Sequence, residues 1–167
     1  GASHNGMWDM ALLAHVPGLR LAAPRDEATL RESLRLAVSI DDAPAVVRYP
    51  KGALPEPLTA VRRLSGGPDE SGCGEEPVQK EALSPCAFDV VDVLLESLRS
   101  TGTARILLVG VGAMAPEAYE AGRILQKEDR AVTVVHPHWV IPAPAPLVAA
   151  AANADVVVVV EDGLVDG

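Results

Sequence analysis

The chain has 167 residues, which at roughly 100–200 residues per domain is one domain or two incomplete ones. Fourteen Lys and Arg stand against twenty-three Asp and Glu, a net charge of −9 with the four His neutral, so no basic surface dominates and neither nucleic acid nor an anionic membrane is expected as the main partner. Any anion site must be local. The apolar fraction is 49%, but only Trp8, Tyr49, Phe88, Tyr119 and Trp139 are aromatic, so Val, Leu and Ala fill the core and no platform for stacking bases is expected. Cys73 and Cys86 lie in a Gly/Pro/Glu-rich stretch rather than a spaced framework, which points to a reducing, cytoplasmic setting.

In chain order, the N-terminus, Gly1 to Gly6, has neither a basic stretch nor an apolar one, so it does not read as a signal peptide. Both ends read as cut within longer segments. Met7 to Ala14 is expected to be a short helix ended by Val16-Pro17-Gly18. Leu19 to Ala23 reads as a strand stopped by Pro24. Asp26 then caps a helix in which Leu30, Leu34 and Val38 recur every four residues, and Asp41-Asp42-Ala43-Pro44 breaks it before a strand at Ala45 to Val47.

From Ala53 to about Pro85 the composition shifts to Pro, Gly and acid, and residues 55–104 are read as a linker in which 66–86 are expected to be disordered. Phe88 to Ser100 fits a helical stripe and a strand alternation equally well. Arg105 to Val109 is a buried strand, and Pro116 to Lys127 a helix opened by proline. Ala131 to Val135 is a strand, Pro146 to Ala152 a short helix, and Asp155 to Val160 a strand. Apolar strands alternating with helices specify α/β structure with parallel sheets covered on both sides. The tract Leu147 to Val160 is interrupted by Asn153 and Asp155 and is shorter than the roughly 20 residues that cross a bilayer.

Gly110-Val111-Gly112-Ala113-Met114-Ala115 has the form of a dinucleotide fingerprint, but no acidic residue follows the next strand, where His136-Pro137-His138 stands instead. A tight turn that needs small residues explains it better. His136 and His138 would share a strand face, yet no third ligand is near them, so they read as ordinary loop histidines and no metal is assigned. His15 reads as structural. Two polar clusters remain, Ser3-His4-Asn5-Gly6 and Arg48-Tyr49-Pro50-Lys51-Gly52; the second follows the carboxyl end of a strand, where open α/β sheets place ligands. An imidazole beside two cations suits a phosphorylated or carboxylate substrate.

Gly1-Ala2-Ser3-His4-Asn5-Gly6-Met7-Trp8-Asp9 resembles the D-G-x-[ST]-H-x-G-x-[FW]-D segment of the 1-deoxy-D-xylulose-5-phosphate synthases. Val16-Pro17-Gly18, Ala23-Pro24-Arg25-Asp26-Glu27, Ala45-Val46-Val47-Arg48-Tyr49-Pro50-Lys51-Gly52, Gly110-Val111-Gly112, His138-Trp139-Val140-Ile141-Pro142 and Val160-Glu161-Asp162 follow in that family's order. The resemblance covers residues 1–54 and 105–167. The His4 loop is also similar to that of transketolase.

The resemblance implies a thiamine-diphosphate- and Mg²⁺-dependent transferase that decarboxylates pyruvate and joins the two-carbon unit to D-glyceraldehyde 3-phosphate, a step toward isoprenoid, thiamine and pyridoxal precursors. It implies a homodimer. Residues 1–54 would close a pyrimidine-binding domain, and 105–167 would open a C-terminal domain, giving two incomplete parallel-sheet domains. Phe88 to Leu95 would be a strand. His4 matches the active-site histidine, Lys51 a contact to the substrate phosphate, and Arg48 either a second phosphate contact or a structural salt bridge. The residues that activate the aminopyrimidine and bind Mg²⁺ and diphosphate belong upstream in that family, so this stretch alone is expected to be inactive. Other readings are another transketolase-like half, a 2-oxo-acid dehydrogenase β-type subunit, or a cofactor-free dimerisation module.

Overall fold

A computed structural model describes residues 8–53, 55–66, 85–97 and 104–163. His4, Cys73 and residues 67–84 of the expected disordered stretch lie outside the described residues. The elements are α1 (Asp9–Leu13), β1 (Arg20–Ala22), α2 (Glu27–Ala37), β2 (Ala45–Val47), β3 (Arg62–Ser65), β4 (Val90–Ser97), β5 (Ile106–Gly110), α3 (Ala115–Lys127), β6 (Val132–Pro137), β7 (Trp139–Ile141), α4 (Ala145–Ala152) and β8 (Val156–Val160). They build two sheets of order β2-β1-β7 and β3-β4-β6-β5-β8.

In the first sheet β1 and β2 run parallel, with Leu21 opposite Val46, and α2 connects them. Asp26 caps α2: its carboxylate accepts from the Thr29 amide at 2.9 Å, while the Thr29 hydroxyl accepts from the Asp26 amide at 3.1 Å. The buried side of α2 carries Thr29 and Ser33, whereas Leu34 and Val38 are exposed. The four-residue apolar spacing therefore marked the helix without marking its covered face.

In the second sheet, β5 pairs in parallel with β6 and β8. The strand period of two sorts its side chains onto two faces. Val91, Val93, Leu107, Val109 and Val135 form one core cluster, and Leu94, Leu95, Leu108, Val132 and Val134 form the other beneath α3. A register shift between Val93 and Leu95 puts both Leu94 and Leu95 in the second cluster. Such an irregularity explains why Phe88 to Ser100 matched no single period.

The structure differs from expectation in three places. Both sheets are mixed rather than wholly parallel, because β7 runs antiparallel to β1, and β4 runs antiparallel to β3 and β6. Part of the stretch read as a linker forms the edge strand β3, while β4 falls where the resemblance implied a strand at Phe88 to Leu95. Strand β8 lies at the sheet edge, so Val156 to Val159 are exposed despite their apolar character. None of the described helices is long and apolar enough to cross a membrane.

Candidate functional site

The ends of β2 and β8 meet at Arg48. Its amide donates to the Ala22 carbonyl at 2.9 Å, carrying the β1–β2 pairing one residue further. Its guanidinium Nη1 lies 2.6 Å from Asp162 Oδ1, just past β8, and Nε lies 3.6 Å from Asp9 Oδ2, the first residue of α1. Burial pulls the guanidinium pKa down, but Asp162, Asp9 and Glu161 outweigh it and the net shift is upward. One cation thus faces three carboxylates. Lys51, three residues on, is exposed and forms no ion pair among the described residues. Tyr49 between them is also exposed. The structure therefore places Arg48 in a salt bridge and Lys51 in an exposed bend.

An apolar groove of about 470 Å³ opens beside Glu161, lined by Met10, Val109, Val111, Leu147, Val157 and Val159 among others. It offers apolar contact and no cation to a phosphate.

A second polar cluster, not foreseen from the sequence, lies buried where the sheets join. Asp92 on β4 is fully buried; its Oδ2 accepts from Arg25 Nη1 at 2.7 Å and lies 2.9 Å from His138 Nε2, while Oδ1 accepts from Arg63 Nε at 2.8 Å. Burial alone would raise the Asp92 pKa, but His138, Arg63 and Arg25 hold it well below the usual carboxylate range. Glu32 Oε2 stands 3.6 Å from the other nitrogen of His138. The His138 backbone bridges the sheets too, donating to the Val90 carbonyl and accepting from the Ala23 amide. His136 and His138 are both buried rather than on a loop surface. His136 Nδ1 is 3.0 Å from the Gly110 carbonyl, and burial, with Arg25 and His138 nearby, pushes its pKa down to about 3. No three His, Cys, Asp or Glu side chains converge on a metal position among the described residues.

The glycine motif has a packing explanation. A Cβ on Gly110 would stand 2.7 Å from Ala115 Cα, and Gly112 has φ +55. The turn thus needs small residues and a left-handed backbone to bring α3 onto the sheet.

Residues 1–57 match the family described as "Transketolase, pyrimidine binding domain" and residues 96–167 the one described as "Transketolase, C-terminal domain". The 1-deoxy-D-xylulose-5-phosphate synthase of Corynebacterium glutamicum strain R is 42% identical over 100% of this chain and 23% of its own length. That of Rhodococcus erythropolis is 44% identical over 100% of this chain and 22% of its own length. Along its whole length the chain is thus similar to 1-deoxy-D-xylulose-5-phosphate synthases, and it carries stretches that match two transketolase domain families. It spans less than a quarter of the length of these curated relatives. Among solved structures, a split-gene transketolase described as an inactive tetramer aligns with TM-score 0.68 and 25% identity, over 96% of this chain and 44% of that one. A transketolase variant from Pichia stipitis aligns with TM-score 0.63 and 14% identity, over 96% of this chain and 21% of that one, which speaks to the fold alone. The expected two-domain transketolase-like α/β character stands.

Proposed function

We propose that this chain is part of a thiamine-diphosphate-dependent transferase that decarboxylates pyruvate and condenses the two-carbon unit with D-glyceraldehyde 3-phosphate, giving 1-deoxy-D-xylulose 5-phosphate. The observation that carries this reading is identity of 42–44% to such synthases along nearly the whole chain, against 14–25% to the solved transketolases. Residues 1–54 are assigned to the end of the pyrimidine-binding domain, 105–167 to the start of the C-terminal domain and 55–104 to their connection. The working state is taken as a homodimer in the cytoplasm.

His4 is assigned to proton handling beside the reacting carbons, and Lys51 to the phosphate of glyceraldehyde 3-phosphate, where an exposed ammonium acts as a point charge. Arg48 is retained beside them, in one of its two roles. The described residues do not themselves fit thiamine diphosphate and Mg²⁺: no metal-ligating cluster converges, and the groove beside Glu161 is apolar. Holding the cofactor is therefore assigned to other parts of the parent enzyme, and this chain alone is expected to show no turnover.

In a full-length synthase carrying these residues, His4→Ala is expected to lower turnover at saturating substrate by about 100-fold. Lys51→Ala removes one charged contact worth about 1.5–3 kcal/mol, so KM for glyceraldehyde 3-phosphate rises about 10-fold or more while KM for pyruvate holds. Equal rises in both KM values would refute the phosphate role. The split-gene transketolase that covers 96% of this chain is described as an inactive tetramer, which favours a second reading, a packing module without cofactor of its own. Turnover distinguishes them: CO2 release from pyruvate by a full-length protein carrying these residues, lowered by Lys51→Ala at limiting glyceraldehyde 3-phosphate, would exclude the module.

A further inference from the structure

The salt bridges of Arg48 join three segments that are remote in sequence. Asp9 opens α1, five residues beyond His4 in the sequence; Arg48 directly follows β2, three residues before Lys51; Asp162 follows β8 in the other sheet. The Arg48 side chain is only 17% exposed, so solvent screens its short contact to Asp162 less than at an open surface. The charges around it also weigh against a phosphate contact. Asp9, Glu161 and Asp162 give three negative charges around one positive, and a phosphate dianion brought to this guanidinium would meet a net negative field. The nearest chain position where a cation stands open is Lys51.

We propose that Arg48 is a positioning residue: its guanidinium ties the Lys51 loop to α1 and to the end of β8, and so holds Lys51 in place. This rests on the synthase reading for its kinetic consequence, while the tie itself has a consequence independent of activity. In enzymes, a displacement of about 1 Å between groups that must act on one substrate costs up to about 100-fold in rate without removing any contact to that substrate.

The test uses a full-length synthase carrying these residues, with Arg48→Met, Arg48→Lys, Asp162→Asn and the Arg48→Met/Asp162→Asn double variant. Asp162 touches no substrate in either account and is 41% exposed, so Asp162→Asn is compatible with folding. The expected result is that Arg48→Met and Asp162→Asn change the kinetics alike, both raising KM for glyceraldehyde 3-phosphate as a displaced Lys51 would, with KM for pyruvate moving by less than about threefold. The double variant is expected to be no worse than the worse single, and Arg48→Lys to recover part of the loss. A selective rise in KM for glyceraldehyde 3-phosphate in Arg48→Met, with Asp162→Asn at wild-type values, would overturn the proposal and make Arg48 a phosphate ligand. Amide exchange on the same proteins separates this from the functional reading. Faster exchange over residues 48–53 and 9–13 in Asp162→Asn supports the tie even if no synthase activity is found, and unchanged exchange at both segments contradicts it.

Discussion

His136 and Asp92 sit in the same buried region and both make the fold sensitive to acid, over different pH ranges. His136 titrates near 6.5 when unfolded and is pushed down to about 3 in the fold. The unfolded chain therefore binds the extra proton first, and stability is lost as pH falls from about 6.5 toward 3, at no more than about 1.4 kcal/mol per pH unit. Asp92 is shifted in the opposite ionic sense, its carboxylate favoured by Arg25, Arg63 and His138. Its contribution is complete above the ordinary aspartate value of about 4 and is lost below it. Urea unfolding at pH 7 and pH 5 separates the two. Wild type is expected to lose about 1–2 kcal/mol more than His136→Gln between those values, and equal losses would mean that His136 is not held neutral by burial.

The contacts between elements rest on small residues as much as on large ones. Gly122 on α3 is buried, and a Cβ there would overlap Val134 Cγ2 on β6. Gly122→Ala must push α3 from the sheet and is expected to cost about 1–3 kcal/mol, seen as a lower urea midpoint with unchanged slope; a stabilised variant would mean that the helix can shift freely. The elements α2, β5, α3 and β6 were legible because each shows one clear period and a cap, proline or glycine at its boundary. Strand β7 was not, since Trp139 to Ile141 is too short to show alternation and its partner β1 lies more than a hundred residues away. The Asp92 cluster was hidden for a similar reason. Arg25, Arg63 and His138 are 67, 29 and 46 residues from Asp92, and a strand aspartate among valines carries no local sign that two guanidinium groups and an imidazole will reach it. The order of Asp9, Arg48, Lys51 and Asp162 was readable, but only the fold shows which cation is already paired.

At the scale of the whole molecule, the two sheets are joined by strand exchange and by charge. The chain leaves β6 in the second sheet, turns at His138 and enters β7 in the first, while Asp92 on β4 holds Arg25 beyond β1. Asp92→Asn removes the carboxylate that Arg25, Arg63 and His138 share, leaving Arg25 with Asp26 and Arg63 with Glu32, and is expected to cost about 1–3 kcal/mol. Scanning calorimetry should show a lowered unfolding temperature, and an unchanged one would mean that apolar packing alone joins the sheets. The central claim concerns the reaction that this joined structure serves. It is tested most directly by supplying a full-length protein carrying these residues with thiamine diphosphate, Mg²⁺, pyruvate and D-glyceraldehyde 3-phosphate, and measuring CO2 release together with the phosphorylated product. The account predicts equimolar CO2 and 1-deoxy-D-xylulose 5-phosphate; ketol exchange between sugar phosphates without CO2 release would contradict it.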